Sequence, residues 1–279
     1  MNIESICIVG LGLMGGSLGL SLKKLYPDTT ICGYDHNEKH KIDALNLKLV
    51  DKIINSKDDI MACDVIFLCI PVDAIIAINK ELIGISKNST IIDMGSTKEQ
   101  ISNEIPASIR VNLVASHPMT GTENSGPLAA INDLYGNKTV VLCDTEKSGI
   151  KQLQIAEEIF NKLNMNIVYM DSISHDKHAA FISHAPHAIS FALANSVLNQ
   201  EDHKSIIALA GGGFKDMSRI AQSSPAMWEA IFRQNRTNVL ESIECFKNEL
   251  TKCQDMIKEE KWEELKDWMG KANNLHDIL

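Results

Sequence analysis

The chain has 279 residues, of which 44% are hydrophobic and 23% are charged, and its formal net charge is −9 at pH 7. This composition excludes a disordered chain, and no apolar run approaches the roughly 20 residues of a membrane span. Because there is no basic stripe to neutralise phosphates, the acidic balance disfavours nucleic acid as a partner and favours a small molecule.

The first predicted strand runs into a glycine-rich turn that opens a helix. Gly10, Gly12 and Gly15 fit the pattern G-x-G-x-x-G, which allows a tight turn, close approach of backbone to phosphate, and close packing of helix on strand. The helix then begins at Leu13 and Met14, whose free N–H groups and positive dipole end suit an anion. The pattern predicts a dinucleotide cofactor, with an ordinary tight turn as the alternative.

The second predicted strand ends in Asp35, 20 residues after Gly15. A carboxylate at this distance accepts hydrogen bonds from the adenosine ribose and repels a 2′-phosphate. The sequence therefore predicts NAD rather than NADP as the cofactor. The alternative interpretation of Asp35 is an N-cap or turn residue before the next helix.

Up to about residue 170, short apolar runs alternate with helical stretches, which indicates a parallel sheet covered by helices on both faces. The predicted strands are Ile3–Val9, Thr30–Tyr34, Asp64–Ile70, Ser89–Asp93, Asn112–Ser116, Lys138–Cys143 and Asn166–Tyr169. The predicted helices are 13–25, 37–46, 72–84, 97–105 and 148–163.

Residues 171–279 are predicted to form a second, all-helical domain, because strand signals stop after Asp171. Its helices are expected at 172–199, 203–210, 225–250 and 255–270, with breaks at the glycines 211–213 and at 223–225. Long apolar helices of this kind commonly form the core of a homodimer, so we expect a dimer.

The seven cysteines include no C-x-x-C pair, and Cys7, Cys32, Cys69 and Cys143 fall in apolar strand-like runs. This pattern predicts reduced thiols and a cytoplasmic protein rather than a disulfide framework or a zinc site. The chain shows no basic and apolar leader before its first strand, so we expect no export.

Ligands of an open α/β sheet bind outside the carboxyl ends of its strands, where Pro71, Ser96 and His117 follow three predicted strands. His117 precedes a proline, which holds it away from helical geometry. Its neutral imidazole could accept the O–H proton of an alcohol that loses hydride to NAD, or it could be a loop histidine bonded to backbone. Ser96 could orient that alcohol, although a cap for a helix starting at Thr97 is the favoured interpretation.

The helical half contains His175 and His178, and then His184 and His187, each pair at helical spacing. A metal site, a polar wall of a substrate pocket and structural histidines all remain open.

Only four of the 27 basic residues are arginine, and Arg219, Arg233 and Arg236 fall within 18 positions. The planar guanidinium binds carboxylates, which predicts an acidic substrate. Arg219 follows the glycine-rich segment 211–216, which is expected to be a flexible turn that approaches the ligand. The alternative for all three arginines is a solvated helix face.

With these residues assembled, the chain resembles the prephenate/arogenate dehydrogenase family over nearly all of its length. The segments that carry the resemblance are Val9–Ser17, Asp93–Lys98, Ser116–Glu123, Ser183–Ala188 and Gly211–Ala221. The first is shared with many dinucleotide-binding proteins, whereas the other four in this order are highly specific.

The resemblance implies an N-terminal Rossmann domain, a doubly wound and mostly parallel sheet, followed by an all-helical dimerisation domain. It implies NAD-dependent oxidative decarboxylation of prephenate to 4-hydroxyphenylpyruvate in tyrosine biosynthesis, without a metal. By similarity His117 is the base on the ring C4 hydroxyl, and Ser96 bonds that hydroxyl and the histidine. The substrate residues implied are Arg219 at a carboxylate, His187 at the side-chain end, Glu123 as a gate, and Thr122 and Trp228 beside the substrate. Gly10, Gly12, Leu13, Met14, Gly15, Asp35 and Pro71 are the implied cofactor residues.

Three other functions are weighed against this one. Arogenate dehydrogenase differs only in an amino group where prephenate has a keto group, and His187 at that end of the pocket favours prephenate. A β-hydroxyacid dehydrogenase would need a catalytic lysine in a G-x-x-x-N context, and Gly211–Lys215 lacks the asparagine. The last is an NAD-sensing protein without catalysis. The presence of a candidate base, an arginine and a cofactor-binding turn in one crevice argues against it.

Overall fold

An eight-stranded sheet forms the N-terminal half of the computed structural model, which describes residues 3–275 and 277–278. The strands are β1 Ser5–Val9, β2 Thr30–Tyr34, β3 Lys52–Ile53, β4 Val65–Leu68, β5 Thr90–Asp93, β6 Leu113–Pro118, β7 Thr139–Cys143 and β8 Asn166–Met170. All but β3 are predicted by their apolar runs. The two residues of β3 are too few to produce a pattern.

The strand order is β3-β2-β1-β4-β5-β6-β7-β8. Neighbours from β3 to β6 are parallel, β7 is antiparallel to β6, and β8 is parallel to β7. The chain therefore leaves β1 for β2 on one side and returns to β4 on the other, which makes the carboxyl end of β1 a topological switch point. His117 lies within β6, opposite Val141, rather than in the loop after it.

Six helices of this half are α1 Leu13–Leu25, α2 Glu38–Asn46, α3 Lys57–Met61, α4 Val72–Glu81, α5 Glu99–Glu104 and α6 Ile150–Lys162. Leu18 of α1 and Phe160 of α6 belong to one buried apolar cluster, and Ile75 of α4 and Ile101 of α5 belong to another. The strand β4 lies between these two clusters and is buried on both faces. This burial explains why its sequence is a continuous apolar run.

After β8 the described chain is helical. Its helices are α7 Ser172–Ala179, α8 Ala185–Leu198, α9 His203–Ala208, α10 Gly212–Arg219, α11 Pro225–Gln234, α12 Arg236–Lys258 and α13 Trp262–Asn273. A π-helical turn, Ala180–His184, joins α7 to α8, and the N–H of Ala185 bonds the carbonyl of Ala180. The wider turn precedes Pro186, which has no N–H to donate.

Two expectations for this half are wrong. The glycine segment is no flexible break, because Gly211 is the N-cap of α10, and Gly212 and Gly213 are its first residues. The predicted helix at 225–250 is two helices, since the chain turns at Asn235, and the second helix continues to Lys258.

All seven cysteines are free thiols, and Cys7, Cys32, Cys63 and Cys143 are buried. In the described part of the chain, no helix is both long enough and apolar enough to cross a membrane.

Candidate active site

The glycine turn between β1 and α1 has two crowded positions and one open position. Gly10 has φ +92°, and a Cβ there would lie 2.4 Å from the carbonyl oxygen of Cys69. A Cβ on Gly15 would lie 1.9 Å from the carbonyl oxygen of Gly10, so only glycine lets α1 pack on the turn. Gly12 faces open space and is the N-cap of α1, without a side-chain cap. The first-turn N–H groups at Leu13 and Met14 therefore border a cradle that fits a pyrophosphate.

Asp35 closes the same cradle at the end of β2. It is buried, with 5% exposure, and its carboxylate accepts the N–H groups of Leu11 and Asn37, both at 2.8 Å. His40 lies 3.3 Å from the same carboxylate. The N-cap of α2 is Asn37 rather than Asp35, whereas the bond from the N–H of Asn37 makes Asp35 a turn residue before this helix. Pro71, three residues after the end of β4, is the N-cap of α4 at the same edge of the sheet.

His117 belongs to a hydrogen-bonded chain that crosses between the two halves. Its Nδ1 lies 2.9 Å from Nε2 of His175, and Nδ1 of His175 lies 2.8 Å from the carboxylate of Asp176. Because the carboxylate only accepts, His175 donates to it and its Nε2 accepts from His117. In this arrangement Nε2 of His117 keeps its lone pair, as a general base requires.

The surroundings of His117 keep its imidazole neutral. Burial lowers the pKa of His117 well below its usual value, and electrostatic interaction with His175, Lys98 and His184 lowers it further. The ring is therefore able to accept a proton at pH 7.

Asp176 also fixes the start of α5. Its two carboxylate oxygens accept the N–H groups of Lys98 at 2.8 Å and Glu99 at 3.0 Å. The helix begins at Glu99 rather than at Thr97, so the interpretation of Ser96 as its cap is wrong. Ser96 lies in the loop between β5 and α5, and within the described chain no hydrogen bond joins it to His117.

The histidines of the helical half face different surroundings. His178 is exposed, whereas His184 is buried, with its Nδ1 3.1 Å from the amide nitrogen of Asn235. Burial lowers the pKa of His184 to about 4. Among the described residues, no group of three His, Cys, Asp or Glu side chains could hold a metal ion.

His187 and Trp228 stack on each other, with ring centroids 3.6 Å apart and an interplanar angle of 24°. Nδ1 of His187 donates to the carbonyl of Ser183 at 2.9 Å, and burial lowers the pKa of this histidine. Trp228 is buried, and its Nε1 has no hydrogen-bond partner among the described residues. The pair forms a flat wall with an unused N–H donor.

Arg219 is the last residue of α10 and lies 3.3 Å from Glu123 in the loop between β6 and β7. Both side chains are partly exposed, and Thr122 in the same loop accepts the N–H of Asn124. Arg233 instead pairs with Asp73 of α4 at 2.6 Å, and Arg236 is exposed. The structure thus brings one of the three arginines to the loop that follows His117.

The sequence did not show that His175 links Asp176 to the candidate base, or that Lys98 is buried beside that base. His175 and Asp176 form an adjacent pair in the sequence, but nothing local shows that they face a strand 58 positions away. Lys98, the last residue of the glycine-serine loop, is fully buried.

Two family models match the chain. One, described as the nucleotide-binding domain of prephenate dehydrogenase, matches residues 18–169. The other, described as its dimerization domain, matches residues 171–271.

Individual proteins show the same similarity. Prephenate dehydrogenase of Bacillus subtilis is 30% identical over 283 aligned residues, which cover 99% of this chain and 76% of that protein. The crystal structure of prephenate dehydrogenase from A. aeolicus with hydroxyphenyl propionate and NAD+ matches with a TM-score of 0.93 and 32% identity, covering 100% of this chain and 99% of that chain. Arogenate dehydrogenase of Synechocystis matches with a TM-score of 0.81 and 26% identity, covering 99% of each chain.

Proposed function

Because the chain belongs to the prephenate dehydrogenase family, we propose that it catalyses the NAD-dependent oxidative decarboxylation of prephenate to 4-hydroxyphenylpyruvate. The observation that carries this proposal is the chain from Asp176 through His175 to His117, which ends in a neutral, acceptor nitrogen at the carboxyl edge of the sheet.

NAD, when bound, supplies the acceptor for the hydride that leaves ring C4 of the substrate. The open face of Gly12 and the first-turn N–H groups of α1 would hold its pyrophosphate. Asp35 would bind the adenosine ribose through Oδ1, which retains a lone pair beyond the bond it accepts from Asn37, whereas Oδ2 accepts from Leu11 and also contacts His40.

His117 takes the proton of the C4 hydroxyl as hydride leaves C4 and C1 loses carbon dioxide, and it returns this proton to the phenolate oxygen of the aromatic product. Aromatisation supplies the driving force, so the protein needs only to position the ring and move one proton. The positive charge formed on His117 is stabilised through His175 by Asp176. Ser96, in the loop beside this site, would hydrogen-bond the same hydroxyl.

Arg219 would bind a carboxylate of the substrate. Its ion pair with Glu123 is partly exposed, with 57% of the arginine side chain accessible, and such pairs contribute about 1 kcal/mol or less. A substrate carboxylate can therefore displace Glu123, which then acts as a gate. His187 and Trp228 would line the side-chain end of the pocket, with Thr122 in the adjoining loop.

One observation favours arogenate as a second candidate substrate. His187 donates through Nδ1 to Ser183, so in its neutral form Nε2 is an acceptor. An acceptor suits the amino group of arogenate, whereas the keto group of prephenate needs a donor and hence a protonated His187. The similarity to an arogenate dehydrogenase points the same way.

Paired steady-state assays with prephenate and arogenate, followed by NADH absorbance, test the substrate. We expect NADH with prephenate, and a strong preference for arogenate would overturn that choice. No absorbance change with folded, NAD-bound protein would indicate a protein that binds NAD without catalysis.

The His117→Asn variant tests the base. We expect kcat to fall ~100-fold or more while KM changes only a few-fold, because the base acts in the chemical step. Near-normal turnover of this variant would show that His117 is not the base.

We also propose a cytoplasmic homodimer, divided into a cofactor domain of residues 1–170 and a helical domain of residues 171–279. Free buried thiols support the compartment. The dimerization model and exposed apolar side chains of the helical half, such as Ile182 and Leu209, support the dimer.

A further inference from the structure

Lys98 is a fully buried lysine beside the candidate active site, with 0% exposure. Its ammonium contacts the carboxylate of Asp93, which is equally buried, and donates to the carbonyl of Ser116 at 2.7 Å. Lysine is almost never fully buried unless it is paired. The reaction described above makes no use of this ion pair.

The contacts of Lys98 join the two segments that carry the reacting side chains. Asp93 accepts the N–H of Gly95 at 2.7 Å and so fixes the loop that contains Ser96. Ser116, whose carbonyl receives the ammonium, directly precedes His117. The ammonium of Lys98 therefore holds the peptide of Ser116, directly before His117, against Asp93 at the end of β5.

The backbone of Lys98 makes a third connection, because its N–H donates to Asp176 at 2.8 Å. Asp176 is the carboxylate at the far end of the hydrogen-bonded chain from His117. Lys98 thus contacts both ends of the hydrogen-bonded chain: its side chain binds the residue before His117, and its backbone N–H binds Asp176.

Stability alone gives little reason for such a pair. Replacing a buried ion pair by apolar residues of similar volume is often neutral or stabilising, because both charges lose their hydration. A fixed charge in this position is better explained by its effect on the neighbouring site.

We propose that Lys98 is a positioning residue for the proton-accepting step, whose ammonium holds His117 and the Ser96 loop in register and opposes protonation of His117 before substrate binds. This inference rests on the proposed function, because the role of Lys98 is defined through the base.

The charges around His117 give the sign of the effect. His175, Lys98 and His184 face the imidazole, while the carboxylates of Asp176 and Asp93 lie one group further away, behind His175 and Lys98. Burial is the largest cause of the lowered pKa of His117, and the positive charge of Lys98 adds to it. Removing that charge should move the pKa back toward 6.5.

The test uses the double variant Asp93→Asn/Lys98→Met in the full-length protein, which removes both charges and leaves neither buried partner unpaired. The matched control is Lys80→Met/Glu104→Gln, which removes an exposed ion pair of the same domain. The readouts are NMR titration of labelled histidines from pH 8 to 4 without substrate, and kcat and KM between pH 5 and 9. The His117 signal is identified by its loss in His117→Asn.

In the double variant we expect the His117 midpoint to rise and the acid limb of kcat/KM to rise with it. We also expect kcat to fall about 10-fold with KM within 3-fold, and the control to match the original protein. A folded double variant with unchanged midpoint and unchanged kcat would overturn the proposal.

The single variant Lys98→Met provides the same test should the double variant unfold. Burial already raises the pKa of Asp93, so its carboxyl can stay neutral when the ammonium is removed. The His117 midpoint should again rise. If both variants fail to fold, the pair is structural and the proposal is wrong. Should the unaltered protein oxidise neither prephenate nor arogenate, the proposed function fails, while the histidine titration still shows whether Lys98 opposes protonation of His117.

Discussion

At the scale of single residues, the properties of His117 depend on neighbours that are remote in sequence. Its tautomer is set by His175, 58 positions away, and its neutral state by burial beneath the helical half. A candidate base can thus be predicted from its place before Pro118 at the end of a strand. The groups that fix its tautomer and keep it neutral cannot, because only folding brings them together.

The His175→Asn variant tests the positioning of the base. We expect kcat to fall between about 10-fold and 100-fold with little change in KM, because His117 loses the acceptor that fixes its tautomer. The control is His178→Asn, which changes an exposed histidine on the same helix. Equal kcat values for the two variants in steady-state assays would contradict the proposed hydrogen-bonded chain.

His184 predicts a dependence of stability on pH. Its pKa is about 4 in the folded chain and about 6.5 when unfolded, so the unfolded chain binds more protons between these values. The stabilisation is therefore present above pH 6.5 and is lost as the pH falls toward 4, by about 3 kcal/mol.

Urea unfolding at pH 7 and pH 4.5 measures this effect, with His184→Gln as the reference that lacks the titrating group. The loss of free energy on acidification should be smaller in the variant. Identical losses in both proteins would show that His184 is not buried in its neutral form.

At the scale of elements, local patterns were sufficient where the element makes its own signal. The strands from β4 to β6 are apolar runs between turns, and α1 begins and ends as predicted. The failures have tertiary causes. Gly211–Gly213 begins a helix despite the poor helix propensity of glycine, and Ser190 of α8 donates a hydrogen bond to the carbonyl of Met217 in that helix. The helix α5 begins at Glu99 because a carboxylate of the helical half caps it.

The glycine turn gives a prediction in which stability and binding separate. Gly15→Ala should destabilise the fold by about 3 kcal/mol, because the new Cβ would overlap the carbonyl oxygen of Gly10. Gly12→Ala should leave stability unchanged, since a Cβ there meets nothing within 4 Å, yet weaken NAD binding about 10-fold or more by filling the cradle.

Thermal unfolding and NAD titration of the two glycine variants measure these effects. If Gly12→Ala bound NAD as tightly as the original protein, the pyrophosphate would have to lie elsewhere.

At the scale of the whole molecule, the helical half exposes large apolar side chains, including Leu209, which is 87% exposed. A second copy of the chain would cover such a surface. We therefore expect a particle of about twice 30.8 kDa in sedimentation at micromolar concentration. A mass of one chain under these conditions would contradict the dimer.

The contacts of Asp176 limit how far the two halves of the protein could be exchanged independently during evolution. It ends the hydrogen-bonded chain of the base and also caps a helix on the sheet side, so one carboxylate serves both sides of the division. The halves are therefore not interchangeable modules. Suppose that either half were replaced by the corresponding half of a distant relative. Both halves would still fold, but the enzyme would be inactive unless the residues at positions 98, 117, 175 and 176 were inherited together.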